Sequence, residues 1–142
     1  MKNEKVYYVA GFVPEDGGYV VYFPDFPAIA TEGDTLQEAT ENASDALRVL
    51  LETMTRDNDA IPEPSDLAQV REQVRAVREG DGLPYPDDTV YQLVLAPNLD
   101  ATPVRINISV PKGALMEIDE KAKAAGFSRS AYLTHAAQNY HA

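Results

Sequence analysis

Val104-Arg105-Ile106-Asn107-Ile108-Ser109-Val110 carries an apolar residue at every second place, and Pro111 follows it. A period of two puts Val104, Ile106, Ile108 and Val110 on one face of a strand and Arg105, Asn107 and Ser109 on the other. Pro111 cannot donate to a ladder, so the strand stops there, and its missing N–H suits it to open a helix. Leu115, Ile118, Ala122 and Ala125 then recur at three- and four-residue spacing and predict a helix with one apolar stripe. Gly126 is placed as its left-handed terminator with Phe127 behind it. Ser128 is placed to cap a second helix whose stripe is Leu133, Ala136, Ala137 and Tyr140.

A unit of about forty residues with one strand has two open edges and too little apolar surface to offset chain entropy. The expectation is that it pairs with a copy of itself, as an antiparallel ribbon with its apolar face on four helices. Arg105, Asn107 and Ser109 then lie outside, and these residue types suit base edges. Arg grips guanine O6 and N7, Asn grips adenine N6 and N7, and the major groove admits a two-stranded ribbon. The N–H groups of Arg129 and Ser130, with the Ser128 hydroxyl, form a candidate phosphate clamp at a helix start. The bland alternative is a strand whose polar face merely meets solvent. The order of strand, helix, Gly turn and Ser-capped helix resembles the ribbon-helix-helix family of DNA-binding proteins.

The whole chain of 142 residues, 44% apolar, suits one ordinary domain or two small ones. Its net charge of −11 is unevenly spread. Residues 1 to 100 hold 7 Lys and Arg against 20 Asp and Glu, which is −13, while residues 101 to 142 hold 5 against 3, which is +2. The acidic part favours a basic protein and repels nucleic acid, and the mildly basic part tolerates phosphate. Without cysteine there is no disulfide framework or Cys-type zinc site, and His135 and His141 lack metal-ligand spacing. No metal and no cofactor are expected. No apolar run has membrane-spanning length and no signal-peptide core precedes the first strand, so the expected location is cytoplasmic.

Upstream, Val6 to Val13 is apolar on both faces and predicts a strand covered on two sides or central in a sheet. Pro14-Glu15-Asp16-Gly17-Gly18 predicts a turn, with Tyr19 to Phe23 as the returning strand. A short extended piece, Ala28 to Thr31, is expected after Pro27. Asp34 with Gln37 and Thr35 with Glu38 are overlapping capping boxes for a helix carrying Leu36 to Met54. Ser65-Asp66 caps a further helix with Leu67, Val70, Val74 and Val77 on one side, closed by Gly80-Asp81-Gly82. Thr89 to Ala96 is the last strand of the sheet. The predicted division is 1–96, a linker 97–103, and 104–142. At roughly 3.3 Å per residue the linker reaches on the order of 20 Å, beyond the Debye length of about 8 Å, so the acidic part can stand clear of DNA.

Asp25, Glu32 and Asp34 fall near strand and helix ends and invite a cation-dependent nuclease reading. A two-metal site would want acids projecting from the sheet, and the first strand has none. There is no Gly-rich phosphate loop and no nucleophile elbow, so no enzyme is expected.

Tyr19-Val20-Val21-Tyr22-Phe23-Pro24-Asp25-Phe26-Pro27, Thr31-Glu32-Gly33-Asp34-Thr35-Leu36-Gln37-Glu38-Ala39 and Asn42-Ala43 resemble the N-terminal signature of the HicB antitoxins. Arg105 to Pro111, with Gly126 to Leu133, resembles their ribbon-helix-helix C-terminal domain. The resemblance implies an α+β chain. Its N-terminal part is a small antiparallel sheet packed with helices, a degenerate ribonuclease-H-like domain that blocks HicA, a small basic mRNA-cleaving toxin. Tyr22, Phe23, Asp25 and Phe26, inside the signature, are the candidate toxin contacts. The C-terminal part would dimerise and repress its own operon, making operator DNA and a second copy the other partners. Ser65 to Gly82 departs from the compact pattern by inserting a helix. The competing reading is a stand-alone regulator whose N-terminal part senses a ligand or oligomerises.

Overall fold

A computed structural model describes residues 5–99 and 103–141. The chain divides into two compact units, Met1–Ala101 and Thr102–Ala142.

The first unit is built on strand β1 (Tyr7–Glu15), which lies inside a four-stranded antiparallel sheet. Its partners are β2 (Gly18–Tyr22) on one side and β4 (Val90–Leu95) on the other, with β3 (Thr31–Gly33) beyond β2. The two-faced pattern of β1 is explained by this central place. Tyr8, Ala10 and Phe12 are buried against one face, with Ala39, Ala43, Leu47 and Leu51 of helix α1 (Leu36–Arg56). Val9 and Val13 are buried on the other, with Val70 and Val74 of helix α2 (Leu67–Gly80). Those two valines are fully buried, and at roughly 1.5–3 kcal/mol each they hold α2 on the sheet.

Turn chemistry shifts several boundaries. The hairpin turns on Asp16 (φ 51°) and Gly17 (φ 84°) alone, the two left-handed residues that match the twist of a tight hairpin. Pro14 and Glu15 therefore continue β1, and Gly18 begins β2. Pro14 is tolerated because its nitrogen points to the side on which β4 has already ended, opposite Phe12. The short extended piece expected over Ala28 to Thr31 becomes a strand only at its end, as β3 at Thr31–Gly33. Phe26 N–H donates to the Phe23 carbonyl (2.8 Å) and Ile29 N–H to that of Phe26 (3.0 Å). These bonds keep residues 23–29 in successive turns and delay the strand.

Of the two overlapping caps before α1, Thr35 prevails: its Oγ1 accepts from Glu38 N–H at 3.1 Å, and the Glu38 carboxylate accepts from Asp34 N–H at 3.3 Å. Helix α2 has the reciprocal box, Asp66 with Gln69, at 2.8 and 3.0 Å. Its apolar stripe is narrower than expected. Val70 and Val74 are buried, whereas Leu67 and Val77 are exposed.

In the second unit, α3 (Lys112–Ala125) follows Pro111 and ends at Gly126 (φ 77°), with Phe127 N–H reaching back to the Ala122 carbonyl at 2.8 Å. Helix α4 (Arg129–Asn139) is capped by Ser128, whose Oγ accepts from Ala131 N–H at 3.1 Å. The strand expected over 104–110 is not formed. A ladder needs a neighbour, and among the described residues no extended segment pairs with these. Of the two stripes, Ala122 is buried and Leu115, Ile118 and Leu133 are half-buried, while Ala125, Ala136, Ala137 and Tyr140 are exposed. The predicted linker 97–103 falls partly on residues 100–102, outside the described residues.

Candidate functional site

In the first unit α2 crosses only part of its sheet face. Beside it Val20 and Tyr22, on the same face of β2 as Val13 and Gly11 are of β1, form the floor of a groove whose wall is Gln73, Ala76 and Val77 of α2. The groove has a volume of ≈ 770 Å³ and a mainly apolar lining that continues through Phe23 to Glu32. Val77 stands at this wall 47% exposed.

Three long-range ties hold the wall and the loop in place. Arg78, at the end of α2, is fully buried. Its Nε donates to the Pro84 carbonyl (2.8 Å), and its Nη1 donates to the Glu15 carboxylate (3.1 Å) and the Tyr22 hydroxyl (3.3 Å). Burial opposes its charge, but the bonds to Tyr22 and Glu15 outweigh it and raise the guanidinium above its ordinary pKa. Asp25 accepts from both Ser65 N–H (2.9 Å) and Ser65 Oγ–H (2.6 Å), fastening the β2–β3 connection to the chain entering α2. Tyr8 donates to the Pro62 carbonyl at 2.6 Å and meets Phe26 edge-on at 4.6 Å. Burial, followed by the nearby Asp25 and Glu63 charges, pushes the Tyr8 phenol up.

The four residues expected to touch a partner thus have different places. Tyr22 and Phe23 line the groove, but Phe23 and Phe26 are only 2% exposed. Asp25 is engaged by Ser65. Phe23 and Phe26 are packed into the core and Asp25 is hydrogen-bonded to Ser65, so of the four Tyr22 is the one that both lines the groove and is partly exposed. Of the wall residues, Val77 was legible only as part of a helix stripe, and Gln73 and Ala76 were not singled out at all. Asp25 is also unavailable to the cation site considered with Glu32 and Asp34, and among the described residues no acidic or histidine cluster is arranged to hold a metal.

The second unit displays the opposite kind of surface. Val104, Ile106 and Ile108 are 71%, 73% and 61% exposed, an apolar row left largely bare by the described residues. Arg105, Asn107 and Ser109 alternate with them and are exposed too. Among the candidate phosphate residues, Ser128 is engaged as the α4 cap, while the N–H groups of Arg129 and Ser130 fall in the first turn, which no intrahelical carbonyl reaches. The Arg129 side chain is committed elsewhere: its Nε and Nη2 grip both Asp119 oxygens at 2.9 and 3.0 Å, tying α4 to α3. That fork holds the Asp119 carboxyl below its ordinary pKa and raises the guanidinium.

The first unit thus presents a mainly apolar groove and the second an exposed apolar row. The chain belongs to the family described as HicB_like antitoxin of bacterial toxin-antitoxin system, which it matches over residues 8–137. Antitoxin HicB 1 of Photorhabdus laumondii is 49% identical over 55 residues, 39% of this chain and 36% of the relative. The chain therefore spans little more than a third of that curated relative's length. The crystal structure of the Burkholderia pseudomallei antitoxin HicB is similar with a TM-score of 0.50 at 28% identity, covering 94% of both chains. A chain of a toxin–antitoxin complex from Streptococcus pneumoniae shares the fold with a TM-score of 0.57 at 24% identity, covering 96% of this chain and 99% of that one.

Proposed function

We propose that this chain is an antitoxin of two labours: its first unit covers a small basic HicA-type mRNA-cleaving toxin, and its second unit pairs with a copy and binds operator DNA. The exposed row Val104, Ile106 and Ile108 carries the second half of this reading, because a second copy laid antiparallel covers it and completes the ladder. The product is a ribbon-helix-helix dimer with Arg105, Asn107 and Ser109 on its outer face. The N–H groups of Arg129 and Ser130 then address phosphate. For the first half, the support is an apolar groove set in a unit of charge −13 (7 Lys and Arg against 20 Asp and Glu). A basic toxin is steered by the surrounding charge and gripped by the groove. The sheet with α1 and α2 is read as a ribonuclease-H-like fold that has kept its shape without catalysis. Such a protein meets its toxin where mRNA is, in the cytoplasm.

The experiment separates the two labours in the full chain. Val77→Asp, a change at an exposed wall position, is expected to abolish protection of cells co-expressing the toxin while operator affinity stays within twofold. Arg105→Ala and Asn107→Ala are each expected to weaken operator binding by about 1–3 kcal/mol and to leave protection intact. If Val77→Asp protects as well as the parent, the groove is not the toxin site. If the operator-to-scrambled affinity ratio is unchanged in both alanine variants, the strand does not read bases.

A further inference from the structure

The register of the sheet decides which way Glu32 points. Glu32 lies opposite Val20 in the β2–β3 pair, and residues opposite each other in a ladder share a face. Val20 belongs to the groove floor, so the Glu32 side chain stands on the groove side, while its neighbour Gly33 meets the α1 backbone on the other. Helix α1 holds the strand in this setting, because the Asn42 side-chain amide donates to the Glu32 carbonyl at 2.8 Å.

Glu32 is the single charged residue in the lining of the groove, and it is exposed. Its carboxylate has no hydrogen bond or ion pair among the described residues. The cations of the facing helix α2 do not supply one, since all three are committed. Arg71 lies over the Tyr91 ring, 5.6 Å from its centroid. Arg75 bridges Glu72 and Glu79, and Arg78 is buried against Glu15 and Tyr22. To the groove itself α2 brings the Gln73 amide and apolar side chains, but no charge.

A surface that closes over such a groove strips water from a lone carboxylate, and this is costly unless a cation arrives with it. The remainder of the lining favours apolar contact. One kind of side chain meets both demands: a long aliphatic stem that ends in a positive charge. We propose that the partner lays an arginine or lysine side chain in the groove, with its stem across Val20, Tyr22 and Val77 and its cation on Glu32. This rests on the reading of the groove as the toxin seat, and it names the feature of a basic partner that the seat selects. A neutral surface of the same shape leaves Glu32 buried and unpaired, and an acidic one is repelled, so Glu32 discriminates among partners that fit equally well.

The test is the dissociation constant of the full chain with the HicA-type toxin, measured over a salt series. Glu32 is exposed, so substitutions there are expected to leave the fold intact, as circular dichroism verifies. At low salt Glu32→Gln is expected to weaken binding about tenfold and Glu32→Lys about a hundredfold, whereas Glu32→Asp stays within about threefold of the parent. Glu32→Gln also flattens the salt dependence, because the pair it removes is one that salt screens. Glu41→Gln makes the same change of charge on the exposed side of α1, across the sheet. It is expected to shift binding by less than about twofold, which separates a local pair from the field of the whole unit. If Glu32→Gln binds no more weakly than Glu41→Gln while Val77→Asp abolishes binding, the toxin sits in the groove without a cation on Glu32, and this proposal alone is overturned. If Val77→Asp binds as the parent does, the toxin lies elsewhere, and the groove reading falls together with the proposal.

Discussion

At the scale of single residues, the fork between Arg129 and Asp119 changes what Arg129 can do. A guanidinium held at 2.9 and 3.0 Å by one carboxylate is not free to neutralise a phosphate. Asp119→Asn is therefore expected to release it, raising affinity for scrambled DNA and steepening the salt dependence by about one counterion per unit. A salt titration of parent and variant checks this, and equal slopes rule it out. The fork has a pH signature as well. The Asp119 carboxyl is held below its ordinary 3.8, so its stabilisation is present above that value and is lost as pH falls through the lowered one. Arg78 shows what sequence conceals at this scale. It follows Val70 and Val74 at four-residue spacing and so shares their buried face, a signal present in the sequence. An arginine nonetheless reads as solvated until Glu15, Tyr22 and Pro84 are seen converging on it. Its Nη2 has no hydrogen-bond partner among the described residues.

At the scale of elements, α1 sits on β3 by backbone contact at Gly33. A Cβ there would lie 2.3 Å from Ala39 N and 2.7 Å from Ala39 Cα, atoms of a helix that cannot rotate aside. Gly33→Ala is expected to destabilise the chain by about 1–3 kcal/mol, read as a lowered urea midpoint with little change in slope. An unaltered midpoint contradicts the seating. The elements that local chemistry determines were legible: β1 by its two apolar faces, α1 and α2 by their caps, α3 by Pro111 and Gly126. Those that depend on something outside the segment were not. The turns of 23–29 displaced β3 through backbone bonds that carry no residue signature. The alternation of 104–110 is plain in the sequence, but a strand there requires a ladder partner that the described residues do not supply.

At the scale of the whole chain, composition announced two parts of different charge before any element was placed, −13 over residues 1–100 (7 Lys and Arg against 20 Asp and Glu) and +2 over residues 101–142 (5 against 3). What composition withheld was the groove, because its wall comes from α2 and its floor from β2, about fifty residues earlier in the sequence. The exposed row of 104–110 also has a consequence for turnover under the proposed pairing. An unladdered backbone carrying exposed Val104, Ile106 and Ile108 is open to the extended cleft of a protease, and under the proposed pairing a second copy would cover it. Cleavage between residues 103 and 110 is therefore expected to slow as protein concentration rises and to lose that dependence in Ile108→Asp, with limited proteolysis across a dilution series as the measurement. Concentration-independent cleavage in the parent contradicts it. Under the proposed pairing, lifetime would become a function of abundance: copies would be lost faster as they become scarce, and the supply would collapse rather than decay.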